Sequence, residues 1–181
     1  MLTITELMIN EQIRDKEIRL IDENGEQLVD YTKIHPFSYG AEAEHYVGGN
    51  ELQFTEVKGV PVAPMICYDL RFPELTRALA LRGTDMLFVV SQWPEARISH
   101  LKTLCAARAI ENQVFLVNCN GCGSAGQTRF GGNSAVYDPW GQVIAQAGSE
   151  ETTFGAECDF STLPSLRNTI PVFTDRRQDL Y

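Results

Sequence analysis

Two short runs of this sequence carry side chains whose chemistry makes sense together. In Ile66-Cys67-Tyr68-Asp69-Leu70-Arg71-Phe72-Pro73-Glu74 a thiol closes an apolar stretch and polar residues follow at once. In Tyr31-Thr32-Lys33-Ile34-His35-Pro36-Phe37 a lysine ends a second stretch. A thiolate is a strong nucleophile, and an ammonium beside it lowers its pKa and stabilises the oxyanion formed when it attacks a carbonyl. Each residue alone has a plainer reading: the cysteine as a core residue, the lysine as a solvated charge. Asp69 and Arg71 argue against a dry core around Cys67, whereas Lys33 gains a use only if the fold carries it to the thiol.

The elements that would have to do so can be sketched from pattern. Glu17–Ile21 and Gln27–Tyr31 flank Asp22-Glu23-Asn24-Gly25, whose Asn-Gly pair predicts a hairpin turn. Lys33–Asn50, rich in Gly, Pro and aromatic residues, predicts a long loop, and long ordered loops in compact domains tend to be functional. Three apolar, β-prone runs, Val60–Cys67, Asp85–Ser91 and Val114–Asn120, alternate with helices expected over Pro73–Leu81 and Arg97–Glu111. In the second helix Leu101, Leu104, Ala107 and Ile110 mark the apolar side. Strands apolar throughout call for cover on both faces of their sheet, and Cys67 then lies at a strand's carboxyl end, where open α/β sheets place ligands. Beyond Gly132 the texture becomes antiparallel: Ser134–Tyr137 and Val143–Gln146 about the turn Asp138-Pro139-Trp140-Gly141, a strand over Thr152–Cys158, a short helix near Leu163–Arg167 and an extended polar tail. Residues 1–12 are expected to be a short strand or a frayed start.

Composition excludes several classes. The 181 residues suffice for one domain, 1–181, with a sizeable core, and a net charge of −9 disfavours a nucleic-acid partner. Apolar runs are too short to span a bilayer, and no charged-then-apolar leader opens the chain, so no membrane partner and a cytoplasmic location are expected. Five cysteines without framework spacing suit free thiols. Cys119 and Cys122 form a Cys-x-x-Cys with no second pair to complete a zinc site, so neither a metal nor any other cofactor is expected.

Six blocks, in order, resemble the nitrilase superfamily, the carbon–nitrogen hydrolases, and within it the omega-amidase branch. They are Lys33–Phe37; Glu42-Ala43-Glu44-His45-Tyr46 with Gly49-Asn50; the run around Cys67; Ser91-Gln92-Trp93-Pro94; Ala107–Gln113; and Ile170-Pro171-Val172-Phe173 with Asp175-Arg176-Arg177 and Leu180-Tyr181. The resemblance implies an α/β fold, a four-layer α-β-β-α sandwich, that pairs into homodimers. It also implies a thiol amidase acting on a small carboxylated amide. Cys67 is then the nucleophile that forms a thioester, and Lys33 the oxyanion-stabilising lysine, aided by the Tyr68 backbone N–H. Glu42 orients the lysine and substrate, and Trp93 lines the pocket. Asp69 and Arg71 are expected to brace the loop, and His35 and His45 to be loop structure. Arg71, Arg97 and Arg129 are the candidates by charge for binding a substrate carboxylate.

Some positions depart from the family pattern. The family's general-base glutamate stands many tens of residues before its lysine, whereas 32 residues precede Lys33. None of Glu6, Glu11 and Glu17 sits in that glutamate's motif, so the expectation is a sandwich incomplete at its N-terminus. A catalytically silent fold that binds a partner chain is the alternative. Pro36 stands where leucine is usual, and Leu101 where tryptophan is common; both bear on pocket shape.

Overall fold

The structure, a computed structural model, describes residues 7–9, 16–40 and 42–181. It opens with an antiparallel sheet of β1 (Leu7–Ile9), β2 (Lys16–Ile21) and β3 (Gln27–Thr32), in that order. β2 and β3 form the expected hairpin. Gly25 turns the chain with φ +84, and Asp22 Oδ1 accepts the backbone N–H groups of Asn24 and Glu26 at 2.8 Å each, side-chain bonds that pin the loop. The long loop after Thr32 contains a 3₁₀ turn at Ser38–Gly40 and an α-helical turn, α1 (Glu42–His45).

Then follow β4 (Thr55–Val57), β5 (Val60–Ile66), α2 (Pro73–Ala80), β6 (Met86–Ser91), α3 (Ile98–Asn112) and β7 (Phe115–Asn120). A two-strand ribbon, β8 (Ser124–Ala125) and β9 (Thr128–Arg129), leads to β10 (Ala135–Tyr137), β11 (Val143–Gln146) and α4 (Leu163–Thr169). The main sheet runs β11-β10-β7-β6-β5-β4, with β5, β6 and β7 parallel and the outer strands antiparallel. β4 pairs with β5 only through Val62, so Pro64, which has no N–H to give a ladder, stands where that neighbour has ended.

Strand alternation sorts the core into two compartments. Ala63 and Met65, Leu87 and Val89, and Leu116 face Leu75 and Leu79 of α2 and Leu101, Cys105 and Ala109 of α3. Their neighbours of opposite parity, Val62, Met86, Phe88 and Phe115, face Leu20 and Val29 of the small sheet, and Ile66 meets Ile18 and Tyr31. Fully burying each such side chain contributes about 1.5–3 kcal/mol. The described residues thus give three layers of an α/β sandwich: antiparallel sheet, mixed sheet, helices. None of the described helices is long and apolar enough to cross a membrane.

The structure corrects three expectations. α3 buries Leu101, Cys105, Arg108, Ala109 and Asn112, while Ile110 is exposed. Ile110 instead lies over the β10–β11 turn, where a Cβ on Gly141 would stand 2.6 Å from its Cδ1. Thr152–Cys158 is not a strand: among the described residues it makes no backbone ladder bonds, and most of it is exposed. The tail Ile170–Tyr181 is not extended. It folds in turns with Phe173 on the helical core, between the guanidinium groups of Arg77 and Arg167 at 5.2 and 5.9 Å. Glu6, Glu11 and most of residues 1–12 lie outside the described residues.

Candidate active site

Cys67 is the first residue beyond β5, and its backbone is left-handed, φ +49. A non-glycine side chain there costs of order 1 kcal/mol or more and is held only where surrounding bonds fix the turn. Asp69 does the holding. It is fully buried, and its Oδ2 accepts the Ile66 N–H at 3.0 Å and the Tyr31 hydroxyl at 2.8 Å. Its Oδ1 accepts the His35 backbone N–H at 3.0 Å and lies 2.9 Å from His35 Nδ1. Burial and the neighbouring Asp69 carboxylate push the Tyr31 phenol far up, so it remains a donor. One carboxyl therefore ties the cysteine turn to the end of β3 and the loop beyond. His35, stacked on Phe72 at 3.6 Å, belongs to this bracing, whereas His45 is exposed.

That tie places Lys33 beside the thiol. Lys33 is 4% exposed, and its Nζ lies 2.9 and 2.8 Å from the two carboxylate oxygens of Glu42. Glu42 Oε2 also accepts the Phe37 N–H at 2.7 Å. The loop closes over the lysine because Gly49 donates its N–H to Lys33 O at 2.8 Å; a Cβ on Gly49 would collide with the Thr32 carbonyl. Burial pushes the Glu42 carboxyl up, but Lys16, Lys33 and the Phe37 N–H outweigh it and hold the group below its ordinary value.

Two cavities meet at Cys67, at the carboxyl ends of the parallel strands. One, of about 360 Å³, is lined by Lys16, Lys33, Glu42, Cys67, Gln92, Cys119 and Asn120 among others. The other, of about 310 Å³, is lined by Tyr39, Cys67, Tyr68, Arg71, Trp93, Arg97 and Phe130 among others. The structure thus brings Cys67, Lys33 and Glu42 to one wall, and sets Tyr68 and Trp93 on the other. Arg71, expected to brace its loop and also a candidate by charge for a substrate carboxylate, lies 4.9 Å over the Trp93 ring and lines the second cavity, as does Arg97. Arg129 is exposed and pairs with Glu95 at 3.6 Å instead.

Three participants escaped the sequence reading. Gln92 lines both cavities beside Cys67, and its backbone N–H favours the thiolate. Asn120 fixes that turn: its Oδ1 accepts Ser91 Oγ at 2.9 Å and the Trp93 N–H at 2.6 Å, and its Nδ2 donates to Gly132 O at 2.7 Å. Lys16 Nζ lies 2.6 Å from Glu42 Oε1. Only Lys16 had a sequence signal, for it shares strand parity with the buried Ile18 and Leu20.

The balance on the thiol differs from expectation. Burial and, to a lesser extent, the Glu42 carboxylate push the Cys67 thiol up; Lys33, the Gln92 N–H and Lys16 pull it down without offsetting them. Alkylation by a neutral reagent such as iodoacetamide requires the thiolate. Its rate at Cys67 is therefore expected to keep climbing with pH past about 8.5, the ordinary thiol value. Peptide-resolved mass spectrometry over a pH series measures this, and a plateau near neutrality would contradict it.

Cys119 and Cys122 are free thiols. Cys119 stands beside Val90, which stands beside Ile66, so two strand spacings, about 10 Å, separate it from the end of β5, too far for a disulfide without backbone movement. Among the described residues no three His, Cys, Asp or Glu side chains converge as metal ligands.

Comparison with known proteins adds ancestry to this geometry. The model of the carbon–nitrogen hydrolase family matches residues 12–168. The 2-oxoglutaramate amidase of Bacillus subtilis (strain 168) is 41% identical over 162 residues, covering 90% of this chain and 62% of that protein. The chain therefore spans less than two thirds of that relative's length. A carbon–nitrogen hydrolase superfamily protein of Xanthomonas campestris, solved with an arsenic adduct in its active site, superposes with a TM-score of 0.87 at 31% identity, over 95% of this chain and 67% of that one. A glutamate-to-glutamine mutant of an amidase from Nesterenkonia sp. AN1 shows covalent addition of the acetamide moiety of fluoroacetamide at its active-site cysteine. It matches with a TM-score of 0.80 at 29% identity, over 95% of this chain and 62% of that one. A thiol on a strained turn, a buried lysine–glutamate pair and a match along most of the sequence agree: this chain belongs to the carbon–nitrogen hydrolase family, in the branch that includes 2-oxoglutaramate amidase.

Proposed function

We propose that this chain carries the thiol centre of an amidase that hydrolyses a small carboxylated amide to the acid and ammonia. The observation that carries the reading is Cys67 on its left-handed turn, with Lys33 buried on the same cavity wall. The sulfur adds to the amide carbon, and the carbonyl oxygen takes the negative charge beside the Lys33 ammonium. The thiol proton passes to the nitrogen, the C–N bond breaks and ammonia leaves a thioester. Water then adds to the acyl carbon, the C–S bond breaks, and a proton returns to sulfur as the acid departs. Glu42, held ionised between ammonium groups, is a weak proton acceptor; its part is to orient Lys33. The Nesterenkonia amidase's covalent adduct at its cysteine supports the nucleophile assignment.

The substrate class follows from the other cavity. Arg71 and Arg97 place two guanidinium groups near Cys67 among the aromatic walls of Phe37, Tyr39, Tyr68 and Trp93. A short chain with an amide at one end and a carboxylate at the other suits that arrangement, in keeping with the 2-oxoglutaramate amidase relative. The test is to mix the chain with monoamides of short dicarboxylic acids, follow ammonia, and quench for intact mass. Ammonia release with an acyl increment mapped to Cys67 is expected. Absence of both, with every monoamide, would defeat the proposal.

A further inference from the structure

We propose that Lys16 is a positioning residue that sets the charge of this centre: by sharing Glu42 with Lys33 it makes the cluster net cationic and biases the cavity at Cys67 toward anions. The inference deepens the amidase reading and rests on Cys67 being its reactive group.

The geometry begins in the hairpin. The Lys33 N–H donates to the Lys16 carbonyl at 2.8 Å, and Glu17 lies opposite Thr32. Ile18 and Leu20 on β2, and Val29 and Tyr31 on β3, all point into the core. The same parity carries Lys16 and Lys33 inward at the same end of the sheet. Both reach one carboxylate: Lys16 Nζ lies 2.6 Å from Glu42 Oε1, and Lys33 Nζ 2.8 Å from Oε2. Lys16 also sits 4.7 Å over the Tyr46 ring and is only a quarter exposed, so it is not a free surface charge.

Charge counting gives the consequence. Lys33 with Glu42 alone is neutral and offers an anion only a dipole. Two ammonium groups against one carboxylate leave one positive charge on the wall of the cavity that Cys67 shares. Among the described residues, Glu17 is paired with Arg19, and the fully buried Asp69 carboxylate, held by Tyr31 and His35, lines neither cavity and is present with or without Lys16. Cys67 also faces Tyr68 and Arg71 of its own turn, Tyr39 of the loop, Arg97 before α3, and Cys119 of β7, all of which are present with or without Lys16. What Lys16 adds favours each anion of the proposed reaction: thiolate, oxyanion and substrate carboxylate.

Alkylation of the intact chain tests this without turnover. Iodoacetate and iodoacetamide present the same electrophilic carbon with and without a negative charge, and the ratio of their rates at Cys67 reports the local field. Lys16→Gln keeps a hydrogen-bond donor for Glu42 and removes the charge; Lys16→Arg keeps the charge. The iodoacetate-to-iodoacetamide ratio is expected to fall roughly three- to tenfold in Lys16→Gln, the effect of a unit charge several ångströms away in a partly solvated site. The pH at which Cys67 becomes reactive should rise, and Lys16→Arg should restore both. A role confined to bracing Glu42 would leave the ratio of Lys16→Gln at the wild-type value, and that result overturns the proposal. Lys16→Met, checked by circular dichroism, must match Lys16→Gln; if it keeps the wild-type ratio the proposal also fails. If neither reagent labels Cys67 in the wild type, the nucleophile reading fails first and this one with it.

Discussion

Replacing Cys67 with alanine is expected to leave ammonia release from a dicarboxylic monoamide at the uncatalysed background while the chain stays folded. Removal of a covalent nucleophile from a hydrolase costs roughly 10⁶-fold in turnover, because Lys33 then polarises a carbonyl that nothing attacks. The fold should survive for a local reason. Cys67 belongs to no element that spans the core; it begins the turn after β5, and its sulfur abuts cavities rather than packed side chains on every side. Alanine meets the same left-handed backbone as cysteine, so the substitution adds little strain. Circular dichroism, a melting curve and an ammonia assay on the same preparation are the measurements. Turnover by Cys67→Ala within tenfold of the wild type would mean that the thiol is not the nucleophile, whatever its neighbours.

The sequence exposed this centre unevenly, and the unevenness has physical causes. Cys67 and Lys33 stood out because side-chain chemistry is written in residue types and each stands at a strand boundary marked by composition, whereas Glu42, inside the long loop, was singled out only by the family resemblance. The β5, β6 and β7 runs were equally plain, since a strand covered on both faces must be apolar at every position. The Gln92 donor was invisible because every residue except proline has an N–H; only the fold aims one. Asn120 read as one more polar residue near a strand end, and its role emerges only when Ser91, Trp93 and Gly132 converge on it. Thr152–Cys158 shows the converse failure. Its β-branched start resembled a strand, but β-propensity reports fit to a pleated, half-buried surface, and among the described residues no strand lies alongside it. In α3 periodicity located the helix and misjudged its face. Arg108 and Asn112 are buried there because Arg108 reaches the Leu70 carbonyl at 3.0 Å and Asn112 donates to Arg108 O at 3.0 Å, so polar side chains occupy a stripe that hydropathy alone would leave to Ile110.

Asp69→Ala is expected to destabilise the chain far more than any change on the cavity wall, lowering its melting temperature by about 10 °C. The carboxyl is fully buried and joins three separate pieces: the last residue of β5 through the Ile66 N–H, the core of β3 through Tyr31, and the lysine loop through His35. Alanine leaves those donors facing a hole, and orphaned buried donors cost about 3–5 kcal/mol in all. A domain of this size loses roughly 2–4 °C per kcal/mol, which gives the expected shift. Asp69→Asn separates shape from bonding. It fills the same volume, but one of its two oxygens becomes an amide that cannot accept from Ile66 and Tyr31 or from His35, so it should melt between the wild type and alanine. Function should follow the same order for a mechanical reason. The clamp is what holds the Cys67 turn at φ +49 against the end of β3, and once released the turn can relax and carry the sulfur away from Lys33 and the Gln92 N–H. Iodoacetate should then lose its advantage over iodoacetamide at Cys67 even below the melting transition. A variant that melts within about 2 °C of the wild type and keeps the wild-type reagent preference would show that the turn is held by something other than Asp69.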